Sequence, residues 1–108
     1  MASGLNGQRF AFHGYLPVAA VERRTALREL EDESRRRGQT QIFIETPYRN
    51  AALYQSLLLD CDPRTLLCVA TNLTLTSEAI STRSIGVWRR SEAPMLAKQP
   101  TVFLLLAE

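Results

Sequence analysis

The sequence is poor in the residues from which most metal centres and nucleophilic active sites are built. Its 108 residues include two cysteines, Cys61 and Cys68, and one histidine, His13. Two isolated cysteines exclude a disulfide framework and a cysteine-rich zinc site. A single histidine excludes a histidine-rich metal centre and a self-contained Ser-His-Asp triad. We therefore expect no metal site, and a buried, reduced thiol at Cys68.

Long apolar runs and clustered glycines are also missing. No apolar run approaches the roughly 20 residues that a helix needs to span a bilayer. The five glycines are scattered, so there is no glycine-rich phosphate loop. The N-terminal residues MASGLNGQ lack the basic and apolar regions of a signal peptide. We expect a cytoplasmic protein with no membrane partner, in which residues 1–8 are a linker or a boundary left by cloning.

The charge balance is nearly even. The net charge is +2, and Lys98 is the only lysine beside twelve arginines. So small an excess does not by itself indicate a nucleic-acid interface. The aromatic content of 7% contains no RNA-binding ribonucleoprotein motif. With 45% hydrophobic residues, the chain suits one globular domain with a modest core.

Hydrophobic periodicity predicts alternating strands and helices. The predicted strands are 9–15, around 42–44, 66–70, 77–83 and 101–107, and the predicted helices are 18–37, 47–60 and 84–90. Two strand–helix–strand passages come first, and right-handed crossovers make such strands parallel. The later strands can be antiparallel. The fold class is therefore α/β, a three-layer domain with a mixed sheet of about five strands.

Smaller features refine these elements. Phe10 and Phe12 should share one face of the first strand, since side chains alternate along a strand. In the first helix, Glu31, Asp32 and Glu33 each precede an arginine by four residues, which favours surface ion pairs. Gly38 follows as a helix stop. Trp88 can anchor the last helix to the body of the domain, and a surface aromatic residue is the alternative.

Polar residues follow two of the predicted strands. Glu45, Thr46, Pro47, Tyr48 and Arg49 come directly after the apolar run at 42–44. Pro47 ends the strand, and Thr46 is then placed to cap a helix that begins at Pro47. An ordinary strand-to-helix junction is the alternative explanation, in which Glu45 and Arg49 only brace the turn.

The second polar strand end is Ala70, Thr71, Asn72 and Leu73. If the two strands run in the same direction, both ends open on one edge of the sheet. Open α/β sheets hold ligands at this edge. The two segments therefore predict one rim rather than two sites.

Several of these segments together resemble a known family. They are HGYLP at 13–17, ERRTALREL at 22–30, TQIFIETPYRN at 40–50, the segment from Ala70 to Leu75, and the apolar strand at 101–107. In this order they resemble the C-terminal domain of the tetrapyrrole methylase family, and most closely its small-subunit ribosomal RNA cytidine 2′-O-methyltransferase branch. The resemblance covers residues 9–108.

The resemblance implies a two-domain enzyme that binds S-adenosylmethionine between an N-terminal and a C-terminal α/β domain. The N-terminal methylase domain would be absent here, so these residues alone should be inactive. By this analogy the rim residues bind the cofactor: Glu45, Thr46, Pro47, Tyr48, Arg49, Ala70, Thr71, Asn72 and Leu73. No catalytic side chain is implied, because methyl transfer depends on positioning the reactants.

Two departures from the family pattern leave the methyl acceptor open. Tyr48 stands where the RNA enzymes have histidine, and Thr71, Asn72 and Leu75 replace three charged residues. The acceptor is ribosomal RNA, a tetrapyrrole or another molecule. We further expect a homodimer. The alternatives are a non-catalytic dimerisation module, with the apolar last strand at an edge, and an RNA-binding module that uses the arginines of the first helix.

Overall fold

The computed structural model describes residues 9–73, 75–76, 78–94, 96 and 99–107. They form five strands and three helices, each close to its predicted position. The elements are β1 (Phe10–Tyr15), α1 (Ala20–Arg37), β2 (Thr40–Glu45), α2 (Asn50–Asp60), β3 (Leu66–Thr71), β4 (Ala79–Ser84), α3 (Ile85–Arg90) and β5 (Thr101–Leu106). Ser77, the predicted start of the fourth strand, lies outside the described residues.

The strands form one mixed sheet in the order β1-β2-β5-β3-β4. β1 and β2 pair in parallel, as predicted. β5 lies between β2 and β3 and is antiparallel to both, and β4 is antiparallel to β3. β2 and β3 therefore run in the same direction without pairing. The predicted α/β fold with a mixed sheet of about five strands is confirmed.

All three helices pack on the same face of the sheet. Their buried side chains share one core cluster with strand residues such as Phe43 and Phe103, whose rings stack with centroids 5.7 Å apart. A second, smaller cluster of Ile42, Cys68 and Leu104 lies on the opposite face.

The position of the helices differs from the predicted three layers. The connections from β1 to β2 through α1 and from β2 to β3 through α2 move across the sheet in the same direction. Because both crossovers are right-handed, both helices lie on one side of the sheet. A layer on each side would require the strand order to reverse. Within the described residues, the domain therefore has a helical face and a helix-free face.

The first helix ends as predicted, but its surface pairs do not all form. Gly38 adopts φ +58° and donates its N–H to the Ser34 carbonyl. Glu33 pairs with Arg37 at 3.5 Å. Glu31 is buried instead: it accepts hydrogen bonds from the Thr65 hydroxyl (2.5 Å) and from the backbone N–H of Asp62 (2.9 Å).

The second helix begins at Asn50, three residues later than predicted. The N–H groups of Arg49 and Asn50 both donate to the Thr46 carbonyl, each at 3.0 Å. Residues 46–49 thus form a turn with Pro47 at its second position, which proline favours. The prediction that Thr46 caps a helix starting at Pro47 is wrong, because the turn uses the Thr46 carbonyl rather than its hydroxyl.

Trp88 anchors the third helix, as predicted. Its indole N–H donates to the Leu67 carbonyl at 2.9 Å, and its ring meets the Tyr54 ring edge-on, with centroids 5.9 Å apart. The Arg83 guanidinium lies 4.7 Å from the ring centroid. A six-residue helix has little stability of its own, so its position depends on this contact.

Replacing Trp88 with phenylalanine should lower the free energy of unfolding by about 1–3 kcal/mol, because the Leu67 carbonyl loses a buried donor. Urea unfolding followed by circular dichroism measures this change. Tyr54→Phe is the matched control: the buried Tyr54 hydroxyl has no partner among the described residues, so its removal should cost less than about 0.5 kcal/mol. Equal losses in the two variants would contradict the assigned anchor.

Candidate functional site

The two polar strand ends meet at one edge of the sheet, as predicted. A depression of about 360 Å³ lies there, between the ends of β2 and β3 and beside the start of β5. We call it the rim depression. It is lined by Tyr15, Ile44, Glu45, Thr46, Pro47, Ala70, Asn72, Leu73, Leu75, Pro100, Thr101 and Val102.

Six of the nine predicted site residues line this depression: Glu45, Thr46, Pro47, Ala70, Asn72 and Leu73. The other three do not. Tyr48 is 87% exposed and is not among the lining residues. Arg49 turns back towards Glu45, and the buried Thr71 hydroxyl donates to the Ala79 carbonyl of β4 at 3.4 Å.

Glu45 and Arg49 brace the turn at the end of β2. The buried Glu45 carboxylate accepts the backbone N–H of Thr46 at 2.7 Å and the Arg49 Nε–H at 3.4 Å. A buried carboxylate is stable when donors of this kind compensate for lost hydration. This geometry matches the bracing role considered for the pair from the sequence. It also holds the Thr46–Pro47 backbone against the depression.

Asn72 lies on the opposite side of the depression, and its backbone adopts a left-handed conformation with φ +52°. Its backbone N–H donates to the Pro100 carbonyl at 3.0 Å, and its side-chain amide donates to the Gln99 side chain at 2.6 Å. Asparagine tolerates this conformation better than most residues, although it still costs free energy. The two contacts with residues 99–100 compensate for that cost and tie the β3 loop to the start of β5.

Asn50 is a site-forming residue that the sequence did not reveal. Its buried amide nitrogen lies 2.6 Å from the Leu96 carbonyl, 2.8 Å from the Gln99 carbonyl and 3.1 Å from the Thr101 hydroxyl. These contacts fix the segment that brings Pro100, Thr101 and Val102 into the wall. The sequence shows only that an asparagine immediately follows the polar strand end. Its role could not be predicted because its hydrogen-bond partners lie 46 to 51 residues away in the chain.

The wall of the depression suits the binding of an organic ligand. Apolar side chains predominate, and a few polar groups stand among them, notably Glu45, Thr46, Asn72 and Thr101. A volume of about 360 Å³ and this mixture are typical of sites for small molecules and cofactors. Apolar atoms can contact an aromatic ring, while backbone and amide groups select its polar edge.

Other kinds of site are not found in the described part of the chain. No group of three or more histidine, cysteine or acidic residues there could hold a metal ion. Both cysteines are free and buried. None of the helices described has the length and apolar character needed to cross a membrane.

Two curated proteins are similar to this chain in sequence, and both are named ribosomal RNA small subunit methyltransferase I. The one from Pseudomonas aeruginosa is 44% identical over 48 residues, which are 44% of this chain and 16% of that protein. The one from Escherichia coli O157:H7 is 32% identical over 85 residues, which are 79% of this chain and 28% of that protein. The chain thus spans less than a third of these relatives. No protein-family model matches it.

The fold is also similar to that of a solved structure, the methyltransferase CobJ. The TM-score is 0.57 at 21% sequence identity, and the match covers 98% of this chain and 44% of the CobJ chain. At this identity the likeness concerns the fold. Together, the sequence and fold matches confirm the predicted resemblance to the tetrapyrrole methylases and, within them, to the small-subunit ribosomal RNA methyltransferases.

Proposed function

We propose that this chain is the C-terminal half of an S-adenosylmethionine-dependent methyltransferase and that the rim depression is one wall of its cofactor cleft. The observation that carries the proposal is the convergence of two separate polar segments, 45–47 and 70–73, on a single depression. The names of the sequence relatives, both methyltransferases, support the reaction class.

The residues present fit the nucleoside end of this cofactor. Ile44, Ala70 and Val102 offer apolar surface to an adenine face, and Asn72 and Thr101 offer hydrogen-bonding groups beside it. The bound cofactor supplies an electrophilic methyl group on a sulfonium. The role of these residues is to hold and orient the ligand, since methyl transfer requires donor and acceptor in line.

The other half of the cleft would come from an N-terminal methylase domain. The depression is partly open to solvent, and the chain matches less than a third of each curated relative. Both facts suit a wall that is completed by another domain. We propose ribosomal RNA as the acceptor, in keeping with the relatives' names, in a cytoplasmic, homodimeric enzyme.

The two alternative functions have less support. The dimerisation module depended on the condition that β5 lies at an edge of the sheet, and this condition is not met because β5 pairs on both sides, with β2 and β3. The RNA-binding module relied on the arginines of α1. Of these, Arg24 in the first half of α1 is engaged by Asp60 at 3.2 Å, as in an ordinary surface ion pair. RNA binding by the arginines at the end of this helix is compatible with a methyltransferase and does not require a separate RNA-binding module.

A larger side chain at Ala70 should block the cofactor. Ala70→Leu adds three carbons on the helix-free face, where Ala70 lines the depression. In the protein expressed from its complete reading frame, we expect calorimetric titration with S-adenosylhomocysteine to show at least about tenfold weaker binding, equivalent to about 1.4 kcal/mol. The control is Ala51→Leu, at an exposed position of α2, which should bind normally.

Two further results bear on the same proposal. Glu45→Ala and Arg49→Ala should weaken binding less than Ala70→Leu does, because they act through the turn. The 108 residues alone should bind weakly and show no turnover, since half of the cleft is missing. If the complete protein does not bind S-adenosylhomocysteine, the proposed function is wrong. If Ala70→Leu binds like the wild type, the depression is not the cleft wall.

A further inference from the structure

Three aromatic side chains lie in a row on the exposed edge strand β1. Phe10 is 51% exposed, and Phe12 and Tyr15 are each 62% exposed. They are opposite Thr40, Ile42 and Ile44 of β2 in the register of the sheet. Because Ile42 belongs to the cluster on the helix-free face, all three aromatic residues project from that face. We call them the aromatic row.

A β-bulge keeps the row on one side. Phe12 and Tyr15 are three residues apart, a spacing that would place them on opposite faces of a regular strand. The register shifts between these two residues, and Gly14 within the shift adopts φ +68°. The extra residue returns Tyr15 to the face that carries Phe12. Exposed aromatic side chains aligned on one face of a strand indicate an interaction surface.

The row connects two depressions. At one end Tyr15 lines the rim depression. At the other end Phe10 lines a second depression of about 450 Å³ together with Arg9, Arg36 and Arg37. From Phe10 to Tyr15 the strand covers about 16 Å at 3.3 Å per residue.

The arginine end of the row retains positive charge. Arg37 pairs with Glu33 at 3.5 Å, and Arg9 donates to the Arg37 backbone carbonyl at 3.3 Å. Neither Arg9 nor Arg36 has a carboxylate partner among the described residues. The register of the sheet shows which strand residues lie on the helix-free face. They are aromatic, aliphatic, small or hydroxyl-bearing, and none is acidic.

We propose that the aromatic row and its arginines form a track for single-stranded RNA that leads the acceptor nucleotide to the rim depression. Bases can stack on Phe10, Phe12 and Tyr15, and the guanidinium groups can bind phosphates at the far end. Free cationic side chains beside aromatic rings favour a polyanion with planar bases over a second apolar protein surface. This inference rests on the proposed function, because it supplies the acceptor to the same cleft.

The test measures RNA and cofactor binding separately in the protein expressed from its complete reading frame. The probe is a fluorescent 12-nucleotide single-stranded RNA, followed by anisotropy at fixed salt. The double variant Phe10→Ala/Phe12→Ala should bind the RNA at least about 25-fold more weakly, since two stacking contacts are lost. Phe12→Trp should retain binding. S-adenosylhomocysteine binding should stay unchanged in both variants.

The arginine contribution has its own signature. Arg36→Ala should reduce the slope of log affinity against log salt concentration by about 0.7, as expected when one contact to a single-strand phosphate is removed. Arg28→Ala, at another exposed position of α1, is the matched control and should leave the slope unchanged. A duplex of the same sequence should bind more weakly than the single strand, because its bases cannot stack on the row.

Three outcomes decide against the track. Normal RNA affinity in the double variant overturns it, and so does a wild type that binds the cofactor but not the RNA. If the double variant instead dissociates a dimer in analytical ultracentrifugation while RNA binding is unchanged, the row is a protein interface. If cofactor binding is absent in the wild type, the proposed function fails, and the RNA measurement then stands by itself.

Discussion

Replacing Asn50 with alanine should lower the free energy of unfolding by about 2–4 kcal/mol and weaken S-adenosylhomocysteine binding in the same protein. The buried amide nitrogen lies within hydrogen-bonding distance of the Leu96 carbonyl, the Gln99 carbonyl and the Thr101 hydroxyl, none more than 3.1 Å away. Alanine would remove this donor from all three acceptors, and among the described residues the Leu96 and Gln99 carbonyls would keep only the Gln99 N–H (3.0 Å) and the Thr101 hydroxyl (2.9 Å) as donors, respectively. Because the same segment supplies part of the rim depression, stability and binding should fall together. Urea unfolding and calorimetric titration measure the two effects.

Two further variants test whether the lost hydrogen bonds of the Asn50 amide cause these losses. Asn50→Asp keeps the shape of the side chain but removes its donors, so it should be at least as destabilising as alanine. Gln55→Ala changes an exposed residue of the same helix and should cost less than about 0.5 kcal/mol. If Asn50→Ala unfolds like the wild type, the amide does not hold the segment. A stability loss with unchanged cofactor affinity would mean that residues 100–102 are not part of the cleft.

The rim could be predicted from the sequence because its signals are local. Polar residues directly after an apolar strand are visible in sequence, and the direction of β2 and β3 follows from their helical crossovers. These two facts were enough to place Glu45–Pro47 and Ala70–Leu73 at one edge. They could not show that β5 enters the sheet between the two strands. The contributions of Pro100, Thr101 and Val102 were therefore missed, because strand order depends on contacts between distant segments.

Glu31 illustrates a second limit of local patterns. Its spacing from Arg35 is that of a surface ion pair, and this spacing predicted a solvated carboxylate. In the fold, Glu31 faces the connection between α2 and β3 and accepts hydrogen bonds from Thr65 and Asp62. Helical periodicity defines which residues share a face, but not which face meets a neighbouring loop. The shared face of Phe10 and Phe12 was predicted in the same way, whereas its exposure depends on the placement of all three helices on the other side.

Stability should fall steeply in alkaline solution, by about 2–4 kcal/mol between pH 8 and pH 10. Burial raises the pKa of the Cys61 thiol far above its ordinary value, and the nearby carboxylates of Glu31 and Asp60 raise it further. Burial also raises the pKa of Cys68, although the Thr82 side chain partly opposes this shift. Both thiols therefore remain protonated in the folded protein at a pH where unfolded thiols ionise.

The direction of this pH dependence follows from the number of protons that the folded and unfolded chains bind. Above a pH of about 8.5 the unfolded chain loses thiol protons that the folded chain keeps, so rising pH favours unfolding. Each thiol contributes a slope of up to about 1.4 kcal/mol per pH unit until its folded pKa is reached. Below pH 8 the contribution to stability is fully present. Burial raises the pKa of Tyr54 as well, which extends the same trend above pH 10.

Urea unfolding at pH 7, 8, 9 and 10 measures the slope. Cys61→Ala and Cys68→Ala will each lower the absolute stability, because they leave a small cavity. The informative quantity is the pH dependence, which each variant should make shallower. The effect should be largest for Cys61→Ala, since three neighbouring carboxylates oppose ionisation there. A thiol reagent should label both cysteines in urea and neither in the folded protein at pH 8. Slopes identical to the wild type in both variants would assign the alkaline loss of stability to groups other than these thiols.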